Sequence, residues 1–289
     1  MSTVDTLEPV IDQPAVHPGP VRRRRSRWIG FAQRWGTFVG FVLVWQLATA
    51  LAKAPYFPTP FSIAQAMQKL WLSGPASHLF LTPSVATDIV PSISRVLGGW
   101  AVSCVAGILV GIAIGLSPLL TDYTGTVFAF IRALPPVMMI PVFMVLFHIG
   151  TPMQLATIIS GAIWPVLLNA VDGARSVEPT NLDVARVFRI SRLRRVFTVV
   201  LPAALPRIFG GMRIAMGISL ILMVIGEMTG GFDGLGYSVL NFQEAFDNID
   251  MWAGIVLIGA FGYLLNRILE FAEAKVLSWH HESKRLVEG

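Results

Sequence analysis

Long apolar runs separated by short polar segments recur along this chain and predict helices that cross a membrane. A transmembrane helix needs about 20 consecutive, mainly apolar residues to span the hydrocarbon core of a bilayer. Windows of this kind lie at Trp35–Ala52, Ile93–Leu116, Thr124–Phe147, Met153–Val171, Phe209–Thr229 and Met251–Phe271. The pattern therefore predicts an all-α, polytopic membrane protein with about six transmembrane helices.

The composition agrees with this class. Hydrophobic residues make up 54% of the chain and charged residues only 13%, whereas about a quarter of the residues in soluble domains are charged. The net charge of +5 comes from arginine clusters beside apolar runs, which favours contact with lipid head groups and argues against nucleic-acid binding. The one cysteine, Cys104, lies inside an apolar run, which excludes a disulfide framework within the chain and most metal sites.

The two ends of the chain differ from its middle. Residues 1–28 are rich in proline and finish in the basic run RRRRSR, which predicts a disordered tail. Residues 29–279 form the predicted transmembrane domain, and residues 280–289 a short polar tail. Small residues at Ala50-Leu51-Ala52 raise the alternative of a cleaved signal peptide, but the preceding tail is long and the apolar run exceeds the usual length.

The positions of lysine and arginine predict the orientation, because cytoplasmic loops carry an excess of both. The run RRRRSR places the N-terminus in the cytoplasm, and six spans bring the loop at about 173–207, with its seven arginines, to the same side. The loop at 232–250 falls outside and carries four acidic residues but no lysine or arginine. Lys53 and Lys69, in a loop predicted to lie outside, are the only exceptions to this bias. Both termini are therefore predicted to be cytoplasmic.

The arginine-rich loop has a helical pattern of its own. Glu178 and Asn181 supply turn and cap chemistry, and Asp183 suits the first turn of a helix. Ser191 can cap a second short helix, which Pro202 then interrupts near the membrane. From the residues alone, the loop is either an amphipathic element that docks onto a partner protein or a basic segment that fixes topology and contacts anionic lipid.

Within this loop, Asp183-Val184-Ala185 precedes Val199-Val200-Leu201-Pro202 at a spacing that resembles a known motif. The motif is the EAA loop of permease subunits of binding-protein-dependent ABC importers: Glu-Ala-Ala, three residues, Gly, nine residues, Ile, any residue and Leu-Pro. Arg189 stands at the glycine position. Because glycine tolerates a positive φ that arginine does not, either the turn stays right-handed here or the docking geometry differs.

Four further stretches resemble the branch of this family that serves nitrate, sulfonate, taurine and pyrimidine-type solutes. The resemblance runs from about Pro58 to Trp279 and implies the type I ABC importer permease fold. The stretches are FPTPFSIAQAM, RALPPVMMIPVFMVLFHIG, LLNAVDGARSVEP and GEMTGGFDGLGY.

The resemblance also implies partners. A permease of this family pairs with a second copy, here expected to be a homodimer, in the bacterial cytoplasmic (inner) membrane. It binds cytoplasmic ABC ATPase subunits through the EAA loop and receives solute from an extracytoplasmic solute-binding protein. The residues that the motif assigns to this ATPase-coupling loop are Asp183, Val184, Ala185, Arg186, Phe188, Arg189, Ser191, Leu201 and Pro202.

No catalytic, cofactor-binding or metal-binding residues are predicted. The phosphate-binding motif G-x-x-x-x-G-K-[ST] is missing from the sequence. We therefore expect a permease that is not an enzyme, with no cofactor of its own and with ATP hydrolysis on a partner chain.

Polar and helix-breaking residues within the spans are candidates for the translocation path, because both are costly in a membrane unless they face protein or water. Prolines kink the third span, and Arg132 lies within it. One hypothesis makes Arg132 an anion-attracting group with Glu227 as its partner or a gate; the other makes both structural or interfacial. The candidate path residues are Arg132, Pro135, Pro136, Asn169 and Glu227.

Glycines at intervals of four residues predict close helix contacts. Gly107, Gly111 and Gly115 form two successive GxxxG motifs, and Gly226 and Gly230 form another. These motifs suit either helices that slide during transport or static packing within one subunit.

The predicted function is thus the translocation path of an ABC importer for a small solute, such as a sulfonate, nitrate or another small anion. Two alternatives stay open. A self-sufficient secondary transporter or channel predicts two related repeats, and no convincing internal duplication is found. A membrane anchor that does not transport needs neither kinked, glycine-rich spans nor an intramembrane glutamate.

Overall fold

A computed structural model describes residues 27–53 and 55–277, with the side chains of residues 27–34 and 78 left aside. The tails predicted at 1–28 and 280–289 therefore fall almost entirely outside the described residues. The described residues divide into two compact units, with the boundary between Ala48 and Thr49. The described part of the first unit is helical.

The described chain is built of α-helices joined by short turns. The helices are α1 (Arg27–Ala52), α2 (Pro60–Trp71), α3 (Val90–Gly115), α4 (Pro118–Ala133), α5 (Ile140–Phe147), α6 (Thr151–Arg175), α7 (Pro179–Val187), α8 (Arg192–Arg195), α9 (Leu201–Gly230), α10 (Leu235–Glu244) and α11 (Asn248–Val276).

Membrane-length helices lie where the apolar runs predict them. Five helical stretches in the described residues are long and apolar enough to cross a membrane, or six if the bent pair α4 and α5 counts as one span. The predicted all-α architecture of about six spans is therefore confirmed. The five stretches are Trp35–Ala52, Val85–Gly115, Thr151–Arg175, Arg192–Gly230 and Asn248–Val276.

The third predicted span is broken rather than merely kinked. Helix α4 ends at Ala133, a 3-10 turn follows at Pro136–Met139, and α5 leaves at 79° to α4. Leu134 and Pro135 have extended ψ angles of 120° and 124°. Each of them precedes a proline, and a proline ring pushes the residue before it out of the helical region. Two successive prolines therefore end the helix.

Helices α3 and α6 run parallel in constant register along their whole contact. A glycine stripe on α3 lets the two backbones approach closely. Each glycine of the stripe lies against the α6 residue 59 positions later, in the pairs Gly99 with Ile158, Gly107 with Val166, Gly111 with Ala170 and Gly115 with Ala174. The two GxxxG motifs of α3 thus pack one helix of the chain against another, as the static alternative predicts.

Helix α9 lies antiparallel to α6 and completes the core. Gly173 of α6 packs on Ala204 near the start of α9, and Gly226 near its end packs on Gln154. Between them, Ala215 and Met223 of α9 are buried together with Val166 of α6. The GxxxG motif of α9 is therefore also a contact within the chain.

Two short helices occupy segments that the hydropathy pattern leaves as loops. Helix α2 begins after Thr59, whose side chain accepts a hydrogen bond from the Ser62 backbone N–H at 3.2 Å. Helix α10 follows the turn after α9, and both α2 and α10 pack on α11. Each is shorter than a membrane span, which is why a window of about 20 residues does not detect it.

The basic loop, defined here as residues 176–200, contains the two predicted short helices with different boundaries. Helix α7 begins at Pro179 after the cap position Glu178, so Asn181 lies inside the helix rather than capping it. Ser191 is the cap residue of α8, and its carbonyl accepts the Arg195 N–H at 2.9 Å.

The prediction that Pro202 interrupts the second helix is wrong. The helical run continues from Arg192 to Gly230. A π-helical turn at Val196–Val200 precedes the proline, with the Leu201 N–H bonded to the Val196 carbonyl five residues back. This wider turn changes the hydrogen-bond pattern just before the residue that has no N–H to donate, so the helix continues through Pro202.

Candidate functional site

Glu227 is the centre of a buried polar cluster at the end of the bundle where α9 finishes. Its side chain has no exposed surface. Ser92 Oγ lies 2.9 and 2.8 Å from its two oxygens, and Arg95 Nη1 donates to Oε1 at 2.8 Å. The Gly236 backbone N–H donates to Oε2 at 2.9 Å. Both oxygens thus have partners, as a buried carboxylate requires.

Arg95 joins this carboxylate to two neighbouring segments. Its guanidinium group is also buried and donates to the Thr151 hydroxyl from Nε and Nη2, at 3.3 and 3.2 Å. Nη2 forms an ion pair with the Asp233 carboxylate, and Nη1 donates to the Asp233 carbonyl at 3.3 Å. We call Ser92, Arg95, Thr151, Glu227 and Asp233 the Glu227 cluster.

Two glycines allow the turn after α9 to fold back over Glu227. Gly234 has φ +103°, in the region that favours glycine, and a Cβ there would collide with the Glu227 carboxylate. A Cβ on Gly236 would lie 2.7 Å from the Val224 carbonyl oxygen and 2.9 Å from the Glu227 Cβ. Glycine at these positions lets the backbone N–H groups approach the buried carboxylate.

The partner of Glu227 is Arg95, so the hypothesis that pairs Glu227 with Arg132 is wrong. Neither Arg95 nor Ser92 is among the site residues predicted from the sequence. One signal for Arg95 was present, because it lies two residues inside the predicted span Ile93–Leu116, where a charged residue is costly and marks a site.

Arg132 lies instead on a cavity of about 190 Å³ between α4 and α6. We call it the arginine cavity, because Arg175 also lines it, together with Asp172. None of these three side chains forms an ion pair with another described residue. The remaining lining residues are Ile114, Thr121, Thr124, Gly125, Phe128, Ala129, Leu168 and Val171.

The hydrogen-bond donors in this cavity are the arginines. The Thr121 hydroxyl lies 3.1 Å from the Ile114 carbonyl, and the Thr124 hydroxyl donates to the Leu120 carbonyl at 2.6 Å. Two guanidinium groups against one carboxylate leave a net positive lining, which suits an anion.

The other path candidates lie elsewhere. Asn169 donates to the Pro165 carbonyl at 2.8 Å and packs beside Gly211 of α9. Pro136 packs near Gly161 of α6, and Pro135 is exposed. The structure therefore distributes the five candidates over separate places, with Glu227 in its own cluster. Among the described residues, no group of three His, Cys, Asp or Glu side chains could hold a metal ion.

Six of the nine coupling-loop candidates lie on α7 and the turn after it, whereas Ser191 is the cap residue of α8 and Leu201 and Pro202 are the first residues of α9. Ala185 of α7 is buried, whereas Phe188 is 75% exposed and its neighbour Val187 is 80% exposed. Asp183 and Arg186 form an exposed ion pair at 2.6 Å. The basic loop thus presents apolar side chains beside its charges, and Val187 adds to this surface although the motif does not include it.

Arg189 adopts the left-handed conformation, with φ +51°. The Ile190 N–H bonds to the Ala185 carbonyl at 3.0 Å, and the Arg189 N–H to the Arg186 carbonyl at 2.9 Å. These two bonds define a Schellman motif, the helix end that glycine usually occupies. The alternative of a right-handed turn is therefore wrong: the turn keeps the geometry of a glycine with an arginine in its place.

The sequence matches a family and several named proteins. Residues 105–277 match the family described as binding-protein-dependent transport system inner membrane component. The bicarbonate transport system permease protein CmpB of Synechococcus elongatus is 29% identical over 263 residues, which cover 90% of this chain and 94% of that protein. The nitrate import permease protein NrtB of Leptolyngbya laminosa is 33% identical over 190 residues, covering 66% and 68%.

The taurine transport system permease protein TauC of Escherichia coli is 28% identical over 271 residues, which cover 90% of this chain and 95% of that protein. Among solved structures, the MetNI methionine ABC transporter in an inward facing conformation matches with a TM-score of 0.54 and 19% identity. That match covers 64% of this chain and 94% of the other. At this identity the structural match supports the fold alone.

Proposed function

This chain belongs to the family of binding-protein-dependent transport system inner membrane components, and on that premise we propose how it works. It is a membrane-spanning permease subunit of an ATP-binding-cassette importer, like the relatives that match most of its length. Importers of this kind work with ATPase and binding-protein partners. Its solute, its coupling to ATP hydrolysis and its pairing with a second copy are proposals.

We propose that the solute is a small anion. The named solutes of the relatives include bicarbonate, nitrate and taurine, and each of these carries an oxyanion group. The arginine cavity supports this choice, because Arg132 and Arg175 outnumber Asp172 there. A guanidinium group binds carboxylate, nitrate or sulfonate oxygens through two parallel N–H donors.

The basic loop is the proposed contact with a cytoplasmic ATPase subunit, which hydrolyses the ATP. The observation that supports it is the exposed surface of Val187 and Phe188 beside the Asp183–Arg186 pair. An exposed aromatic residue with a charged rim is typical of a protein docking site. With this loop in the cytoplasm, the Glu227 cluster lies at the extracytoplasmic end, where a solute-binding protein would deliver the anion.

The first test is purification of the tagged chain in mild detergent, followed by mass spectrometry of the proteins that accompany it. A stoichiometric ATPase subunit, with two copies of this chain, is the expected result. A chain that purifies alone and catalyses solute uptake into liposomes without ATP would instead be a secondary transporter.

The second test is uptake of labelled nitrate, bicarbonate and taurine by liposomes that contain the complex and its binding protein. Uptake of one of these solutes should require ATP. Arg132→Gln should lower the rate at least several-fold, because the cavity loses one of its two cations, and Arg132→Lys should keep part of it. Equal rates in wild type and Arg132→Gln would remove Arg132 from the path.

A further inference from the structure

The two carboxylates that bind Arg95 differ in burial. Glu227 is fully buried and is also held by Ser92 and the Gly236 N–H. Asp233 is 44% exposed and lies between Gly231 and Gly234, in the turn after α9. Arg95 is the only described residue with which the Asp233 side chain pairs. One carboxylate is thus fixed, and the other lies at the surface.

This difference in exposure makes the two ion pairs unequal in strength. Breaking a buried pair is costly because it leaves a charge without water or a partner. In the Arg95–Asp233 pair the guanidinium group is also buried, but the carboxylate is 44% exposed, so water and dissolved ions compete for that side of the pair. The Arg95–Asp233 pair is therefore the one that a dissolved anion can replace.

The atoms around Asp233 also form a site for an anion. Arg95 Nη2 lies 3.2 Å from the Thr151 hydroxyl, whose own hydrogen can turn toward a neighbouring acceptor. If the Asp233 carboxylate moves away, a guanidinium N–H and a hydroxyl are left open to the solvent side. The fixed Glu227 on the other side of Arg95 holds the guanidinium group in place for the incoming ligand.

We propose that Arg95 and Thr151 form an anion-binding site at this end of the bundle, and that Asp233 occupies it as a tethered anion until a carboxylate, sulfonate or nitrate group replaces it. The choice of ligand class rests on the proposed function. The exchange moves the Asp233 side chain away from Arg95, while the turn after α9 stays bonded to Glu227 through the Gly236 N–H. The site is separate from the arginine cavity, which lies between α4 and α6.

The test measures how fast phenylglyoxal, a reagent for arginine, modifies Arg95 in the purified full-length chain, with mass spectrometry of the peptide that contains it. Arg95 should react slowly in the wild type because it is buried. Asp233→Asn should raise the rate about fivefold, the factor that corresponds to 1 kcal/mol. Sodium nitrate or sodium methanesulfonate should then restore the slow rate, whereas an uncharged osmolyte should not.

Two further variants control this result. Glu244→Gln removes another acidic side chain of the 232–250 segment and should leave the Arg95 rate unchanged. Thr151→Val keeps Asp233 but removes the hydroxyl, so Asp233→Asn combined with Thr151→Val should lose protection by nitrate. If Asp233→Asn fails to fold, Asp233→Ser serves in its place.

Fast modification of Arg95 in Asp233→Asn with no protection by either anion would overturn the proposal, and so would an unchanged slow rate. Neither result would affect the proposed function, because ATP-dependent uptake is measured separately. Conversely, protection of Arg95 by nitrate in a chain that purifies without an ATPase would support the site and count against the importer.

Discussion

Ser92 has two roles in the Glu227 cluster. Its hydroxyl oxygen lies within hydrogen-bond distance of the Glu227 carboxylate and accepts the Leu235 backbone N–H at 2.7 Å. It therefore fixes both a buried charge and the first residue of α10. When a buried hydroxyl of this kind is removed, its partners stay buried without a replacement, which costs about 1–3 kcal/mol.

We predict that Ser92→Ala destabilises the chain by about 1–3 kcal/mol, whereas Ser94→Ala, two residues away, changes stability by about 0.5 kcal/mol or less. Ser94 is exposed and bonds only to the Pro91 carbonyl among described residues. The reporter is Cys104, the single cysteine, which is buried and becomes reactive to a thiol dye on unfolding. Equal midpoint temperatures for the two variants would contradict the role of Ser92.

Arg189 carries a conformational cost that a glycine would not. We predict that Arg189→Gly stabilises the end of α7 by about 1 kcal/mol, because the left-handed φ of +51° suits glycine. Chymotrypsin cleavage after the exposed Phe188 should then slow about fivefold, since cleavage follows local opening. Arg189→Val should cleave faster than wild type, because a branched side chain opposes this φ. The opposite order would show that this turn opens independently of φ.

At the scale of the helix, the constant register of α3 and α6 depends on the glycine stripe. We predict that Gly111→Ala destabilises the chain by about 1–3 kcal/mol, since its Cβ would lie 2.6 Å from the Leu167 carbonyl oxygen and 2.7 Å from the Ala170 Cβ. Gly98→Ala on the same helix is the control. Its Cβ would meet only Leu155 at 3.7 Å, so the better helix propensity of alanine should leave stability equal or higher. The Cys104 assay measures both; a tolerated Gly111→Ala would mean that α6 yields at this contact.

The sequence predicts those elements whose signal is local. The membrane-length helices follow from apolar windows, and the adjacent prolines predict a kink in the third span, but not the full break of 79°. The prediction that Pro202 interrupts the helix is wrong, because the π-helical turn just before it has no recognisable sequence signal. The short helix α2 is marked by its Thr59 cap, and α10 by its packing on α11, rather than by length.

The candidate site is less predictable, because its contacts join residues that are far apart in the sequence. Glu227 stands out as a charge in an apolar run, but its partner Arg95 lies 132 residues away. The residues around Glu227 and Arg95 do not indicate that these two side chains pair. From the sequence, Arg132 is an equally suitable partner for Glu227. Only the packing of α3 beside α9 decides between the two arginines.

At the scale of the molecule, the basic loop is the surface whose role can be separated from folding. We predict that replacing Asp183 and Arg186 together by alanine leaves the unfolding temperature unchanged, because both side chains are more than 60% exposed and such pairs stabilise little. The same variant should lose the co-purifying ATPase subunit and ATP-driven uptake. A matched variant, Arg267→Ala with Glu270→Ala, removes another i,i+3 pair on α11 and should keep the ATPase. Normal association in the loop variant would exclude this loop as the docking site.

The helical run from Arg192 to Gly230 is also a lever arm. Its 39 residues make it about 58 Å long at a rise of 1.5 Å per residue. A rotation of about 5° around the Arg192 end therefore moves the other end by roughly 5 Å. Glu227 lies three residues from that far end, and its bond to Arg95 is 2.8 Å long. A tilt of about 5° would thus move Glu227 by more than the 2.8 Å that separates it from Arg95.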